Sequence, residues 1–324
     1  MTRGRVLLTG GAGFLGTHLA ERLREEHDLV LLDNLRRDSL QHAPSLRDDP
    51  RVRLVKGDVR DEKLVSAALE GVETVLHLAA IAGVSDYYKE PLRVLETNLL
   101  GTANVVACAA RAGVRRFVFF STSEVYGAQA LDAREDDPCA VGPPSDRRWV
   151  YATTKLAGEH LVLRTAEEHG FAATVVRPFN IYGARQTGEG AISNFCAAAT
   201  KGEPLEVHGE GSSIRAWCHV DDLVAGVLAA LSKPEAAGQI FNIGSPTEVE
   251  TTLGLARRVV RLSPGSRIEH VSVPRSDVLA RTPSIEKARK LLGFAPRVDL
   301  DTGLARTLEW FRPGARGAAA PVHP

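Results

Sequence analysis

Two residues with acid and base chemistry lie one helical turn apart near the middle of the chain. Tyr151 and Lys155 occur in the segment WVYATTKLAGEHL, so on a helix their side chains project from the same face. A free tyrosine, with a pKa of about 10, is a poor base at neutral pH. A neighbouring positive charge stabilises its phenolate, so the pair predicts a tyrosine that accepts protons. The alternative is a surface tyrosine beside a solvated lysine.

Three glycines at regular spacing follow the first apolar run. Gly10, Gly13 and Gly16 lie in TGGAGFLG, where a predicted strand turns into a helix. The missing Cβ atoms at Gly10 and Gly13 let the backbone turn tightly and approach a pyrophosphate, and Gly16 lets the helix pack closely on the sheet. Free N–H groups and the helix dipole favour that anion. The alternative is a glycine-rich turn without a ligand.

An acidic residue ends the second predicted strand. Asp33 lies about 20 residues beyond the glycines, where a carboxylate accepts hydrogen bonds from an adenosine ribose. Its charge would repel a 2'-phosphate and therefore favours NAD over NADP. Arg36 and Arg37 leave this choice open, because they could pair with a phosphate or be solvated. The predicted dinucleotide-binding turn earlier in the chain favours a catalytic role for Tyr151, as does STSE at 121–124 after a predicted strand.

The elements that would hold these residues alternate along the first half of the chain. Short apolar runs at 5–9, 29–33, 52–56, 74–78, 117–121 and 173–177 predict strands, and amphipathic segments such as 13–26 predict helices. This pattern is typical of an α/β fold with a Rossmann-type, doubly wound parallel sheet. We predict an NAD-binding domain at 1–178, a smaller C-terminal α/β lobe for substrate at 179–312 that exchanges some chain with it, and a disordered tail at 313–324.

Composition excludes several classes of partner. The chain has 40 basic and 40 acidic side chains and no basic block, so we expect no nucleic acid partner. Its apolar stretches are broken within about ten residues, whereas a membrane span needs about 20. Cysteines at 108, 139, 196 and 218 form no CxxC pair, which predicts reduced thiols in the cytoplasm and no metal site.

Six motifs together resemble the extended short-chain dehydrogenase/reductase family of NAD-dependent nucleotide-sugar epimerases, dehydratases and decarboxylases. They are TGGAGFLG, Asp33, GDV at 57–59, HLAA at 77–80, STSEVYG at 121–127 and YxxxK from Tyr151. The resemblance implies an NAD that stays bound through the catalytic cycle. It also implies a homodimer formed by the helix that carries Tyr151 and its neighbour.

The resemblance assigns roles residue by residue. Thr122 is implied to hydrogen-bond the sugar hydroxyl that is oxidised, beside Tyr151 and Lys155, and Ser123 to contact the sugar. The implied cofactor contacts are Gly10, Gly13, Phe14, Leu15, Asp33, Asn34, Asp58, Val59, Leu78, Ala79, Ala80, Tyr151 and Lys155.

The second half of the chain resembles the family's nucleotide-sugar lobe. Asn180 in RPFNIYG matches a diphosphate contact, and Asn194 in ISNF matches a nucleotide contact. The edge strand that holds the base is matched by PLEVHG, with Val207 and His208. Arg215 in IRAWCHVDD matches an arginine that grips the diphosphate with its planar fork. The alternative for Arg215 is a surface ion pair.

Glu124 bears on the chemistry that follows oxidation. A 4-epimerase oxidises C4, rotates the ketosugar and returns the hydride, so it needs no second acid or base, and 4,6-dehydratases usually carry an Asp-Glu pair here. Ser123 and Glu124 instead resemble UDP-glucuronate decarboxylases and GDP-mannose dehydratases. RW before Tyr151, VRPFN and DVLARTPSI at 277–285 favour the decarboxylases, and the resemblance places Arg281 near the uronate carboxylate.

The sequence therefore predicts a UDP-glucuronate decarboxylase that forms UDP-xylose or a UDP-4-keto-pentose. Oxidation at C4 makes the C6 carboxylate a β-keto acid, so carbon dioxide can leave into an enolate stabilised by Tyr151 and Thr122. The segment GARQTGEG lacks an arginine that UDP-xylose synthases place before SNF, and Arg185 could replace it or grip a phosphate. A 4-epimerase of a UDP-sugar or UDP-glucuronate and an NDP-hexose dehydratase are the alternatives. An NAD-binding protein without catalysis conflicts with the intact Thr122, Tyr151 and Lys155.

Overall fold

The computed structural model describes residues 4–272 and 278–314. Its strands are β1 (Arg5–Thr9), β2 (Asp28–Asp33), β3 (Val52–Lys56), β4 (Val72–His77), β5 (Arg116–Phe120), β6 (Gln129–Ala133), β7 (Ala172–Pro178), β8 (Ile181–Tyr182), β9 (Leu205–His208), β10 (Ile214–Ala216), β11 (Cys218–His219), β12 (Gln239–Ile243), β13 (Val249–Thr251), β14 (Ile268–Val271) and β15 (Ala280–Pro283). Its α-helices are α1 (Phe14–Leu23), α2 (Pro44–Arg47), α3 (Glu62–Ala68), α4 (Val84–Lys89), α5 (Pro91–Leu95), α6 (Gly101–Arg111), α7 (Val150–His169), α8 (Ala191–Lys201), α9 (Val220–Ser232), α10 (Thr252–Leu262), α11 (Glu286–Leu292) and α12 (Leu300–Phe311).

The central sheet is parallel and doubly wound. Its strand order is β12-β7-β5-β4-β1-β2-β3, so the chain builds outward from β1 to β3 and then crosses to the other side through β4. This confirms the predicted Rossmann-type fold. The strands predicted at 5–9 and 52–56 have the observed bounds, and the other four differ by one or two residues at one or both ends. The helix predicted over 13–26 ends earlier, at Leu23, because the chain turns at 24–27 to enter β2.

Apolar side chains fill both faces of this sheet, as expected for parallel strands covered by helices. On β5, Phe117 and Phe119 pack with α3, α6 and α7, whereas Val118 and Phe120 pack with α1, α9 and α11 on the opposite face. The alternation follows from the period of two along a strand. A third apolar cluster around α8, α10 and α12 supports the C-terminal lobe.

The two lobes exchange strands. From the second half of the chain, β12 pairs in parallel with β7 and completes one edge of the central sheet. From the first half, β6 joins the smaller four-stranded sheet β13-β10-β15-β6. Within the residues that the structure describes, no helix is long and apolar enough to cross a membrane. Residues 315–324 of the predicted tail and Asp277 of the DVLARTPSI motif lie outside the described residues.

Candidate active site

A large cleft runs between the lobes along the carboxyl ends of the central strands, where ligands bind in folds of this type. Its volume is about 1590 Å³. Pockets for one small ligand usually measure roughly 300–1,000 Å³. The cleft is therefore large enough for a dinucleotide and a second ligand together.

The glycine turn after β1 forms one wall of the cleft. Gly10 has a φ of +70°, and a Cβ atom there would lie 2.8 Å from the Ala79 nitrogen. A Cβ atom at Gly16 would overlap the Gly10 carbonyl oxygen, so Gly16 permits the close packing of α1 on the turn. Gly13 is the N-cap residue of α1 and makes no side-chain hydrogen bond to the helix. The first N–H groups of α1 can therefore bind an anion. This geometry fits a dinucleotide pyrophosphate.

Asp33 ends β2 beside this turn. Its two carboxylate oxygens accept hydrogen bonds from the backbone N–H groups of Ala12 (3.0 Å) and Leu35 (2.7 Å). Burial raises the pKa of Asp33, and those two hydrogen bonds oppose the rise. Arg36 and Arg37, the two cations that left the choice between NAD and NADP open, both contact the Asp86 carboxylate, at 2.8 and 3.3 Å.

The other predicted cofactor residues line the same cleft. They are Phe14, Leu15, Asn34, Asp58, Val59, Leu78, Ala79 and Ala80. The Asp58 carboxylate accepts two hydrogen bonds from Arg60, at 3.0 and 2.8 Å, and these hold the pKa of Asp58 below its ordinary value.

Tyr151 and Lys155 lie in the first turns of α7 and face the middle of the cleft. The Thr122 side chain hydrogen-bonds Tyr151, and the Tyr151 ring stacks on Tyr87 with centroids 5.2 Å apart and planes 8° apart. Burial, and then the negative charge of Glu124, raise the pKa of Tyr151 well above its ordinary value. Lys155 Nζ donates a hydrogen bond to the Phe120 carbonyl (2.6 Å), and burial lowers its pKa to about 7.

A buried network fixes β5 against α7 beneath these residues. Arg177 donates hydrogen bonds from Nε and Nη2 to the two carboxylate oxygens of Glu159, at 2.8 and 2.7 Å. The Ser121 hydroxyl donates to the same carboxylate. Because Ser121 precedes Thr122 and Glu159 lies one turn beyond Lys155, the network positions the residues of the site.

The sugar end of the cleft holds a buried cluster of opposite charges. Arg148 donates from Nη1 and Nη2 to the two carboxylate oxygens of Glu124, at 2.6 and 3.0 Å. Arg281 Nη1 lies 3.8 Å from Glu124 Oε1, and Arg281 Nη2 donates to the Gly127 carbonyl (3.1 Å). Burial by itself raises the pKa of Glu124, but the charges of Arg148 and Arg281 outweigh it and hold that pKa below its ordinary value. Glu124 is therefore an anion here. Ser123, also buried, lines the cleft beside it.

Most of the residues predicted to bind the nucleotide reach the other end of the cleft. Asn180, Asn194, His208 and Arg215 all line it. Val207 does not, because its side chain points into the core of the C-terminal lobe while its neighbours on β9 face the cleft.

The structure places Arg185 outside the lining of the cleft. It is buried behind the glycine helix, where Nη1 and Nη2 donate to the Glu21 carboxylate at 2.9 and 2.6 Å. Nη2 also donates to His18 Nδ1 (3.2 Å), and burial followed by the charge of Arg185 lowers the pKa of His18 to about 3. The guanidinium fork of Arg185 thus joins the C-terminal lobe to α1, contrary to the substrate contact that the sequence suggested.

Two residues of the site had no predicted role. Arg148 is the arginine of the RW pair before Tyr151, but nothing local to that segment shows its pairing with Glu124. Tyr87 lies on α4 in a segment without a recognised motif, and its stacking on Tyr151 appears only in the structure. Among residues 4–272 and 278–314, no group of three or more His, Cys, Asp or Glu side chains is arranged to hold a metal ion.

Comparison with known proteins confirms the resemblance. The family model for the NAD dependent epimerase/dehydratase family matches residues 6–244. The chain is 34% identical over 319 residues to UDP-N-acetyl-alpha-D-glucosaminuronate decarboxylase of Bacillus cytotoxicus. The alignment covers 95% of this chain and 98% of that protein. It is 34% identical over 313 residues to UDP-glucuronic acid decarboxylase 3 of Arabidopsis thaliana, covering 95% and 89%.

A solved structure shows the same fold. UDP-glucuronic acid 4-epimerase from Bacillus cereus, in complex with UDP-glucuronic acid and NAD, superposes with a TM-score of 0.87 at 25% identity and covers 95% of this chain and 98% of that one. Because the family model matches more than half of the chain, the chain belongs to the NAD-dependent epimerase/dehydratase family, and its cofactor is NAD.

Proposed function

We propose that the protein is a UDP-glucuronate decarboxylase that oxidises its substrate at C4. The observation that carries this proposal is the charge at the sugar end of the cleft, where two buried arginines, Arg148 and Arg281, contact one carboxylate, Glu124. A guanidinium binds a planar carboxylate through charge-assisted hydrogen bonds, so arginines at this end of the cleft suit a uronate. The similarity to curated decarboxylases supports the same reaction.

Oxidation begins at the hydroxyl on C4. Tyr151 Oη accepts the hydroxyl proton, and Thr122, already hydrogen-bonded to Tyr151, orients the same oxygen. NAD, when bound, supplies the acceptor for the C4 hydride and a positive ring charge that favours the tyrosinate. That charge is needed because the protein groups alone raise the pKa of Tyr151.

Decarboxylation follows from the ketone at C4. The C5–C6 bond breaks, carbon dioxide leaves, and the bonding electrons move to the C4 oxygen as an enolate. Thr122 and the newly protonated Tyr151 donate hydrogen bonds to that oxygen. Arg281 holds the carboxylate before it leaves, through the planar geometry that a guanidinium shares with a carboxylate. A proton from water at C5 gives the UDP-4-keto-pentose, and return of the hydride to C4 gives UDP-xylose.

The rest of the cleft divides between the two ligands. We assign the pyrophosphate of NAD to Gly10 and Gly13, and its ribose to Asp33. We assign the UDP portion to Asn180, Asn194, His208 and Arg215, with Arg215 on the diphosphate, and we leave Arg185 out because its fork is engaged by Glu21. Ser123 contacts the sugar.

The proposal includes a homodimer in the cytoplasm. Leu92, in α5, and Leu100, directly before α6, are 65% and 57% exposed. A shallow depression lined by Leu99, Ala157 and Leu161 lies against α7. A second copy could bury these apolar groups, which together support dimer formation through α6 and α7. All four cysteines are free thiols, as expected in a reducing compartment.

Incubation with UDP-glucuronate and proton NMR of the product tests the reaction, with Tyr151→Phe as the inactive control. We expect loss of C6 and release of carbon dioxide. Inversion at C4 with C6 retained would instead identify a UDP-glucuronate 4-epimerase, the function that the likeness to the Bacillus cereus enzyme favours as second candidate. Absence of both reactions refutes the proposal.

A further inference from the structure

Arg148 contacts two parts of the site, the Glu124 carboxylate and the Tyr87 ring. It is buried, and its guanidinium makes two kinds of contact. Both terminal nitrogens bind the Glu124 carboxylate, at 2.6 and 3.0 Å, and the guanidinium carbon lies 5.7 Å from the centroid of the Tyr87 ring. Arginine is suited to both tasks because its planar fork matches a carboxylate while its face packs on an aromatic ring.

Tyr87 extends this line of contacts to the proton acceptor. Its side chain is fully buried, and its ring stacks on Tyr151 with an angle of 8° between the planes. Direct contacts therefore run from Glu124 through Arg148 and Tyr87 to Tyr151. A displaced Arg148 would disturb the carboxylate at one end and the tyrosine at the other.

The backbone at Arg148 is itself fixed. The Asp146 carboxylate accepts a hydrogen bond from the Arg148 N–H (2.9 Å) and caps the single turn at Arg147–Trp149. That turn leads directly into α7, so the start of the Arg148 side chain has a set position relative to Tyr151. The local sequence thus supplies a rigid base for a long side chain.

We propose that Arg148 is a positioning residue, which holds Glu124 away from Arg281 with its fork and holds Tyr87 against Tyr151 with its face. This inference rests on the proposed function, since it concerns how the substrate carboxylate gains access to Arg281. Glu124 lies 2.6 and 3.0 Å from the Arg148 nitrogens but 3.8 Å from Arg281 Nη1. Without Arg148, Glu124 would compete with the substrate carboxylate for Arg281.

Titration of Glu124 provides a measure of this role that does not need turnover. Among residues 4–272 and 278–314, the charged and titratable groups that interact with Glu124 include Arg148, Arg281, Arg215, Tyr87 and Tyr151. Removing Arg148 takes away the largest of the charges that hold the pKa of Glu124 down, so burial should then raise that pKa. The carboxylate would begin to protonate at a higher pH than in the parent protein.

The first experiment follows Glu124 by ¹³C NMR of labelled glutamate carboxyls between about pH 4 and pH 8, with Glu124→Gln to assign the signal. In Arg148→Met we expect the Glu124 signal to titrate at higher pH. The matched control is Arg147→Met at the exposed neighbouring arginine, which should leave the signal unchanged. An unchanged titration in Arg148→Met overturns the inference, whether or not the protein decarboxylates UDP-glucuronate.

The second experiment separates charge from geometry by kinetics. Arg148→Met should lower kcat with UDP-glucuronate about 100-fold, as expected for displaced reacting groups, and should raise KM. Arg148→Lys retains the charge but not the fork, so it should restore the Glu124 titration without restoring kcat. Recovery of the parent kcat in Arg148→Lys contradicts the positioning role. A parent protein that neither releases carbon dioxide nor inverts C4 refutes the proposed function instead, and the NMR titration still decides the role of Arg148.

Discussion

Replacing Arg177 with methionine should lower the free energy of unfolding by about 3–5 kcal/mol, because it leaves the buried Glu159 carboxylate without its cation. Both side chains are only 3% exposed. The pair is joined by two hydrogen bonds, at 2.8 and 2.7 Å. Arg177 Nη1 also donates to the Tyr126 hydroxyl (2.7 Å), but that hydroxyl keeps Asn242 as a partner after the substitution. The uncompensated charge of Glu159 therefore dominates the expected loss.

Removing both charges should recover much of this stability. In Arg177→Met combined with Glu159→Leu, apolar groups replace the ion pair, a change that is often neutral in other proteins. The Ser121 hydroxyl loses its acceptor, which costs about 1–3 kcal/mol. We therefore expect the double variant to lie within about 3 kcal/mol of the parent and to be more stable than Arg177→Met alone.

Urea denaturation followed by circular dichroism measures these differences. The matched control is Arg164→Met, which breaks a 2.7 Å ion pair with Glu167 whose side chains are 64% and 61% exposed. That substitution should cost less than about 0.5 kcal/mol, because water screens an exposed pair. The reasoning fails if Arg177→Met and Arg164→Met lose the same stability, or if the double variant is less stable than Arg177→Met.

Three further predictions concern the ligands. Gly13→Val should abolish NAD binding because its side chain occupies the approach to the turn, and no dinucleotide should be released when the purified variant is heat-denatured. Tyr151→Phe should retain NAD and slow turnover by orders of magnitude, whereas the control Tyr88→Phe should turn over at the parent rate. Activity of Tyr151→Phe within about tenfold of the parent would mean that another group accepts the proton. Glu189 accepts hydrogen bonds from the Ser85 N–H at 3.1 Å across the cleft, so Glu189→Gln should exchange labelled NAD about two- to tenfold faster than the parent, and an unchanged exchange rate would show that this contact does not retain the cofactor.

The central sheet could be predicted because its strands are buried on both faces. Such strands appear in the sequence as short apolar runs, and the one at 5–9 has the observed bounds. The end of the first helix was less predictable, since residues 24–26 continue the chain with charged side chains that suit a helix or a turn equally well. The sequence predicts some exchange of chain between the lobes, but the identity of the exchanged strands, β6 and β12, depends on pairing between distant segments that no local pattern specifies.

The cleft residues could be predicted wherever a motif lies at the carboxyl end of a central strand. The glycine turn follows β1, Asp33 ends β2, Ala79 lies just beyond β4, and Thr122 follows β5, so the doubly wound sheet brings them to one edge. Their positions follow from topology alone. Long-range partners do not follow in this way, because a contact such as that between Thr122 and Tyr151 joins elements that are far apart in the sequence.

Arg185 and Arg148 show how such partners decide a role. Arg185 occurs in GARQTGEG, which departs from the pattern of UDP-xylose synthases, and Arg148 occurs in the RW pair that favours the decarboxylases. Arg185 binds Glu21, a residue of α1, and so fastens the two lobes together behind the cleft. Arg148 binds Glu124 within the cleft and so adds positive charge where a sugar would lie. Two arginines, Arg148 and Arg281, are thus placed around one glutamate at the sugar end of the cleft, and this placement depends on the fold as a whole rather than on any single motif.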